Sequence, residues 1–225
     1  MSDTRLQELK CIVLPGHIRD CVSENISHYN TAYDFWRVFM GYEMSKENIE
    51  NIESKLSSDG FMLFEDIYTL FYKTSIVGLF CFDTKDMSSH AIGDQSFFKT
   101  FPVEILNNYV HKAQYIMTIG HLLVHPNWRR SKIGLGLSDI LVWFMHKRFV
   151  ESGCDLMLYW TRNNRSTNQL GIKFGGECIL SDYHYSGSPA DVIATRPDKV
   201  IMDSGDETVN QISADLWNNR ICAHK

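Results

Sequence analysis

An α/β (α+β mixed) architecture, in which helices and strands share one domain, is expected from three features of this sequence. Two β-rich stretches, Phe61 to Tyr72 and Ser75 to Phe82, are separated only by Lys73-Thr74, which marks a hairpin with a tight turn. Farther on, a strand-like run, an amphipathic helical stripe and a second strand-like run follow one another between Tyr115 and Thr161. Finally, 225 residues of which 44% are apolar are enough to bury one sizeable core, so a single domain spanning 1–225 is expected.

The elements are expected in the following order. Leu9 to Leu14 is a short apolar strand closed by Pro15-Gly16. The remainder of 1–60 is expected to be helical, with one segment over Arg19 to Tyr29 and another over Tyr33 to Met40 that presents Phe35, Trp36 and Phe39. Ser45-Lys46-Glu47-Asn48 has the composition of an N-cap and first turn for a third helix, whose face is Ile49, Ile52 and Leu56 and whose end is Ser57-Ser58-Asp59-Gly60. After the hairpin the pattern dissolves. Residues 84–113 hold Gly93, Pro102 and one short helix near Val103 to Val110, and a stretch this long with weak periodicity is a candidate lid or insertion.

Tyr115 to Val124 is the next strand, and Gly120 within it signals a bulge or a close backbone approach. Leu137, Ile140, Leu141 and Phe144 form a helical stripe that ends at Ser152-Gly153. Asp155 to Thr161 is a strand, and 163–167 cap a short helix carrying Leu170 and Ile172 that stops at Gly175-Gly176. Glu177 to Tyr185 and Asp191 to Met202 are the last long strands. Asp206 to Arg220 is a terminal helix with Ile212, Leu216 and Trp217 on one side.

The bulk properties narrow the function. The longest uncharged apolar run, Ser75 to Phe82, is far short of the roughly 20 residues that span a bilayer. The first residues lack the apolar core of a secretory signal, so a cytoplasmic location is expected. The six cysteines lie far apart without a C-x-x-C pair, which favours reduced thiols over a zinc site or a disulfide framework, and no metal is expected. A net charge of −5 argues against nucleic acid as a partner and is compatible with a cationic amine.

Chemistry concentrates at Leu122-Leu123-Val124-His125-Pro126-Asn127-Trp128-Arg129-Arg130-Ser131-Lys132-Ile133-Gly134-Leu135-Gly136-Leu137, which reads as a strand, a basic turn and a helix that starts at the turn. Free N–H groups and the positive end of a helix dipole meet at such a junction, and that suits a phosphate. Downstream, Asn164, Leu170, Lys173 and Gly175 follow a second strand. The succession Val-His-Pro-x-Trp-Arg-x-x-x-Ile-Gly, helix, strand, Asn-x-x-x-x-x-Leu-x-x-Lys-x-Gly-Gly resembles the GCN5-related N-acetyltransferase (GNAT) superfamily. The likeness covers Tyr115 to Cys178 well.

The resemblance implies a central mixed, mostly antiparallel sheet flanked by helices and splayed between two parallel strands, one ending at Val124 and the other Asp155 to Thr161, with an acyl coenzyme A core at 114–178. Arg129, Arg130, Ser131, Lys132, Ile133 and Gly134, with Gly136 beyond them, would hold the pyrophosphate of acetyl coenzyme A. Lys132 stands where the family has its first glycine. Leu122 and Val124 would bond the pantetheine through their backbone, and Asn164 would act from the other wall or serve as a helix N-cap. The implied activity is transfer of an acetyl group to a primary amine by direct attack. The acceptor would be a small molecule or a protein, and a homodimer and an acyl carrier protein stay open as partners.

Such a reaction needs an oxyanion donor, a base and an acid. The resemblance assigns the donor to the N–H of Val124. His121, just before Leu122, is the candidate base, because an unperturbed imidazole with pKa near about 6.5 suits proton removal near neutrality. The family's acid is commonly a tyrosine after Leu170, where this chain has Gly171, so Tyr183 and Tyr185 are the nearest substitutes. A glycine there would widen an acyl pocket, with Phe61, Phe64, Phe97, Phe98 and Phe101 as candidate linings. A longer-chain N-acyl synthase and a non-catalytic coenzyme A-binding module are therefore the alternatives.

Overall fold

The computed structural model describes residues 4–46, 52, 56–129, 136–162, 166–185 and 188–225. Eight strands form one mixed sheet: β1 Leu9–Pro15, β2 Asp66–Tyr72, β3 Ser75–Asp86, β4 Tyr115–Val124, β5 Leu156–Arg162, β6 Glu177–Tyr185, β7 Ser188–Thr195 and β8 Ile221–Cys222. Their order is β6-β7-β5-β4-β3-β2-β1-β8. β1 with β2, β2 with β3, β5 with β7 and β6 with β7 pair antiparallel, whereas β4 with β5 and β1 with β8 pair parallel. The described helices are α1 Ile26–Lys46, α2 Ser58–Met62, α3 His90–Gly93, α4 Ser96–Lys99, α5 Val103–Asn108, α6 Leu137–Ser152, α7 Thr167–Lys173 and α8 Glu207–Asn218.

Several boundaries differ from the sequence expectation, each for a physical reason. Of the two helices expected over 19–29 and 33–40, the residues before Ile26 form two 3₁₀ turns, Ile18–Asp20 and Ser23–Asn25, whereas the part from Ile26 onward is one helix, α1, because Tyr29, Ala32, Phe35 and Trp36 make an unbroken buried stripe. That helix runs through Ser45, which is therefore not an N-cap; much of the third expected helix lies outside the described residues. The strand expected from Phe61 starts at Asp66. Before it comes α2, with Asp59 in its first turn and Phe61 buried. The last long strand stops at Thr195, two residues before Pro197 opens a 3₁₀ turn.

The chain forms two compact units. The first comprises residues 1–82, 120–144 and 205–225, the second 83–119 and 145–204. In the first, alternation along the strands sends successive residues to opposite faces. Ile67, Leu79 and Cys81 pack with Tyr29, Ala32, Phe35 and Trp36 of α1. Their neighbours Tyr68 and Phe80 face the other way, where Tyr68 stacks on Trp217 of α8 at 5.4 Å between ring centroids. The core side of α8 is thus Val209, Ser213 and Trp217, with Ile212 and Leu216 only partly covered.

In the second unit, the segment 84–113 contributes Phe98, Phe101, Ile105 and Val110 to a core with Ile116, Leu156, Leu158 and Val192. Asp155 ties this core's entrance together by accepting hydrogen bonds from the N–H groups of Gln114 and Tyr115 at 2.8 and 2.9 Å. α7 is anchored through Asn168, whose amide donates to the buried carboxylate of Asp191 at 2.8 Å.

Candidate functional site

The strand and turn that the sequence singles out belong to the first unit from Gly120 onward. The parallel pairing of β4 with β5 covers Ile116↔Leu156, Met117↔Met157 and Thr118↔Leu158, and β4 then continues to Val124. At its end, the N–H of His125 donates to the carbonyl of Val77 in β3 at 2.9 Å. Because N–H groups alternate sides along a strand, those of Val124 and Leu122 point away from β3. This is the orientation a strand-like ligand amide would require.

Beyond β4 the chain makes a tight, well-tied turn. Pro126–Trp128 is a single 3₁₀ turn capped by the His125 ring, whose Nδ1 accepts from the N–H of Asn127 at 3.1 Å. Trp128 is buried and meets the Tyr72 ring at 5.0 Å. Arg129 follows in extended conformation and forms a 3.6 Å ion pair with Glu43 of α1. Arg130, Ser131, Lys132, Ile133 and Gly134 lie outside the described residues. At Gly136 the description resumes, and its carbonyl accepts from the N–H groups of Asp139 and Ile140 at 3.0 and 3.3 Å as α6 begins. The buried Asp139 carboxylate lies so close that a Cβ at position 136 would fall 2.0 Å from it, which is why this position takes glycine. Asp139 places an acid in the first turn of α6, where the helix dipole favours it. The sequence signal for this residue, an acid three residues after a glycine at a helix start, was there to be read.

His121 lies in an aromatic box. Its ring is 5.7 Å from Trp36 and 5.4 Å from Phe64 between centroids. Desolvation by these neighbours pushes its pKa down from the ordinary histidine value to about 4, which corrects the expectation of an imidazole titrating near neutrality. Among the described residues no hydrogen bond holds either ring nitrogen. At Gly120 there is a close approach: a Cβ there would sit 2.0 Å from the Phe64 ring. His125, packed against Phe35 and Phe39, also titrates below the ordinary range, first through desolvation and then through the charge of Arg129.

Tyr183 lies in the second unit. Its ring stacks on Trp160 at 5.4 Å, and Trp160 in turn stacks on Phe101 at 4.9 Å. Asn164 lies outside the described residues, and the N-cap position of α7 is Ser166, with a left-handed φ of 57°. At Gly171 the structure overturns one expectation. A Cβ there would meet the hydroxyl of Tyr159 at 2.1 Å, so the space freed by the glycine is filled by that tyrosine and does not widen an acyl pocket. Burial raises the Tyr159 pKa well above the tyrosine range, and its hydroxyl has no hydrogen-bond partner among the described residues. Phe61, Phe98 and Phe101 are core residues rather than a lining.

All six cysteines are free, and four of them are buried. Among the described residues, no group of three or more His, Cys, Asp or Glu side chains is arranged to hold a metal ion, and no helix is long and apolar enough to cross a membrane.

No family model matches the sequence, and no curated protein matches it either. Solved structures do share its fold. An acetyltransferase of the GNAT family from Streptococcus pneumoniae superposes with a TM-score of 0.51 at 10% identity, over 84% of this chain and 99% of that one. A candidate arylalkylamine N-acetyltransferase 7 from the yellow fever mosquito gives a TM-score of 0.51 at 14% identity, over 79% and 86%. The fold is therefore that of the GCN5-related N-acetyltransferases, as the motif between Tyr115 and Cys178 implied.

Proposed function

We propose that this protein is an acyltransferase that moves an acetyl group from acetyl coenzyme A to a primary amine. The observation that carries the reading is the end of β4: the N–H groups of Leu122 and Val124 point away from β3, and five residues later the chain presents Arg129. One backbone run would thus bond the pantetheine amides through the Leu122 N–H and the carbonyls of Leu122 and Val124, leaving the Val124 N–H to the thioester. The turn after it would meet the phosphates, with Arg130, Ser131, Lys132, Ile133, Gly134 and Gly136 completing the grip and Asn164 as a further contact that the motif implies. The amine acceptors named for one structural neighbour, arylalkylamines, are the first acceptor class to try.

The chemistry is a direct attack. The amine nitrogen bonds to the thioester carbon, the carbonyl oxygen gains negative charge that the Val124 N–H stabilises, and the C–S bond breaks as the oxyanion collapses. His121 is neutral at working pH and is in the right state to accept the proton that the attacking nitrogen sheds. Its burial makes it a weak base, so the amine arrives already neutral rather than being deprotonated by His121 beforehand. The thiolate takes a proton from Tyr183 or from solvent, which Tyr183→Phe distinguishes. The longer-chain alternative loses the support of a widened pocket, because Tyr159 fills the space at Gly171.

The test is isothermal titration with acetyl coenzyme A, repeated on the Arg129→Ala/Arg130→Ala double variant. Binding at micromolar concentration that the double variant loses is the expected result, followed by turnover in an amine screen. A wild-type protein that binds no acetyl coenzyme A sinks the reading. Binding without turnover of any amine leaves a non-catalytic coenzyme A-binding module.

A further inference from the structure

Phe35, Phe39 and Glu43 recur every fourth residue along α1 and so share one face of the helix. That face meets the chain on both sides of the Pro126–Trp128 turn. The Phe35 and Phe39 rings meet the His125 ring at 6.4 and 5.2 Å, and the Glu43 carboxylate pairs with Nη2 of Arg129 at 3.6 Å. The partners differ in exposure: the Glu43 side chain is 12% exposed and that of Arg129 49%. A carboxylate so covered is costly to keep charged without cations beside it. The guanidinium, by contrast, is a planar fork of five N–H donors, and a carboxylate at one nitrogen leaves others for a second anion on the open side.

We propose that Glu43 is a positioning residue for phosphate recognition, holding the Arg129 guanidinium in place on α1 so that its open edge meets a phosphate of coenzyme A. The proposal rests on the coenzyme A reading above. Two effects oppose each other here. Ordering the long arginine side chain in advance removes an entropic cost from binding. A carboxylate near the phosphate repels it, but across the width of a guanidinium, at a half-exposed site and with a screening length of about 8 Å at 0.15 M salt, that repulsion is weak. Preorganisation therefore prevails, and removing the carboxylate weakens binding.

The experiment titrates coenzyme A and phosphate-free pantetheine, at 0.15 M salt, into the wild type, Glu43→Gln, Arg129→Ala and the double variant. Glu43→Gln is expected to raise the coenzyme A Kd by about 3-fold to 10-fold, the scale of one well-placed charged contact. The pantetheine Kd stays unchanged, and Glu43→Gln has no further effect once Arg129 is alanine. If Glu43→Gln does not fold, Glu43→Asp carries the test: it keeps the charge but draws the carboxylate back from the guanidinium, and should weaken coenzyme A and spare pantetheine, equal binding of coenzyme A overturning the proposal. Equal or tighter coenzyme A binding by Glu43→Gln overturns the proposal. So does an equal loss for pantetheine, or an undiminished effect in the Arg129→Ala background. A wild type that binds no coenzyme A removes the underlying reading, a failure distinct from any of these.

Discussion

Position 171 shows how a single side chain's absence can be misread. A β-carbon there would lie 2.1 Å from the Tyr159 hydroxyl and 3.3 Å from a methyl of Ile193, so the backbone of α7 sits against β5 and β7 only because nothing projects from it. Gly171→Ala should destabilise the fold by about 1 to 3 kcal/mol, the usual cost of overpacking. In a Tyr159→Phe background, where the obstructing hydroxyl is gone, the same substitution should cost less, and denaturant unfolding of the four proteins measures the coupling. Additive costs would mean that Tyr159 is not what the glycine accommodates. The sequence shows the departure from the family pattern but not its cause, because Tyr159 is twelve residues away and reaches the site only through the fold. A far greater separation along the chain hid Trp36 and Phe64 from His121, and with them the fall of its pKa to about 4.

Among the elements, α8 has the clearest local code. The Asp206 carboxylate accepts from the N–H groups of Thr208 and Val209 at 3.0 and 3.3 Å and satisfies two orphan donors at the helix start. Asp206→Ala should cost about 1 kcal/mol, and Asp206→Ser much less, as read from thermal unfolding. A neutral Asp206→Ala would show that α8 is held by the packing of its buried face, Val209, Ser213 and Trp217, and not by its cap. Codes of this kind made most elements legible: the hairpin through Lys73-Thr74, β4 and the stripe of α6 all lie within a few residues of expectation. Legibility failed where the signal is not local. Phe98, Phe101 and Ile105 keep a helical spacing of three and four, yet Phe101 lies between α4 and α5 and Val110 in a later 3₁₀ turn, so no one element carries the pattern and only the core they share orders them. β8 is two residues long and exists by pairing with Ile12 and Val13. In the site, the Arg129 turn was legible from its motif, whereas Glu43 sits on a helix whose register the sequence alone did not settle.

For the molecule as a whole, the aromatic box around His121 makes stability depend on acidity. The folded state holds this imidazole at about 4, against about 6.5 when it is solvated, so between those values the unfolded chain binds the extra proton. Stability therefore rises with pH across that window. The contribution is fully present above about 6.5 and is lost progressively as the pH falls towards 4, with a ceiling of about 3 kcal/mol. His125, displaced in the same direction, adds to it with the same sign. Between pH 7 and pH 5 the wild type should lose about 2 kcal/mol through His121, and a His121→Asn variant, which has nothing to titrate there, should lose that much less. Urea unfolding of both proteins at the two pH values gives the comparison. Equal losses would mean that His121 is solvated in the folded protein. Its imidazole would then titrate near neutrality, and the weak base in the proposed reaction would become an ordinary one.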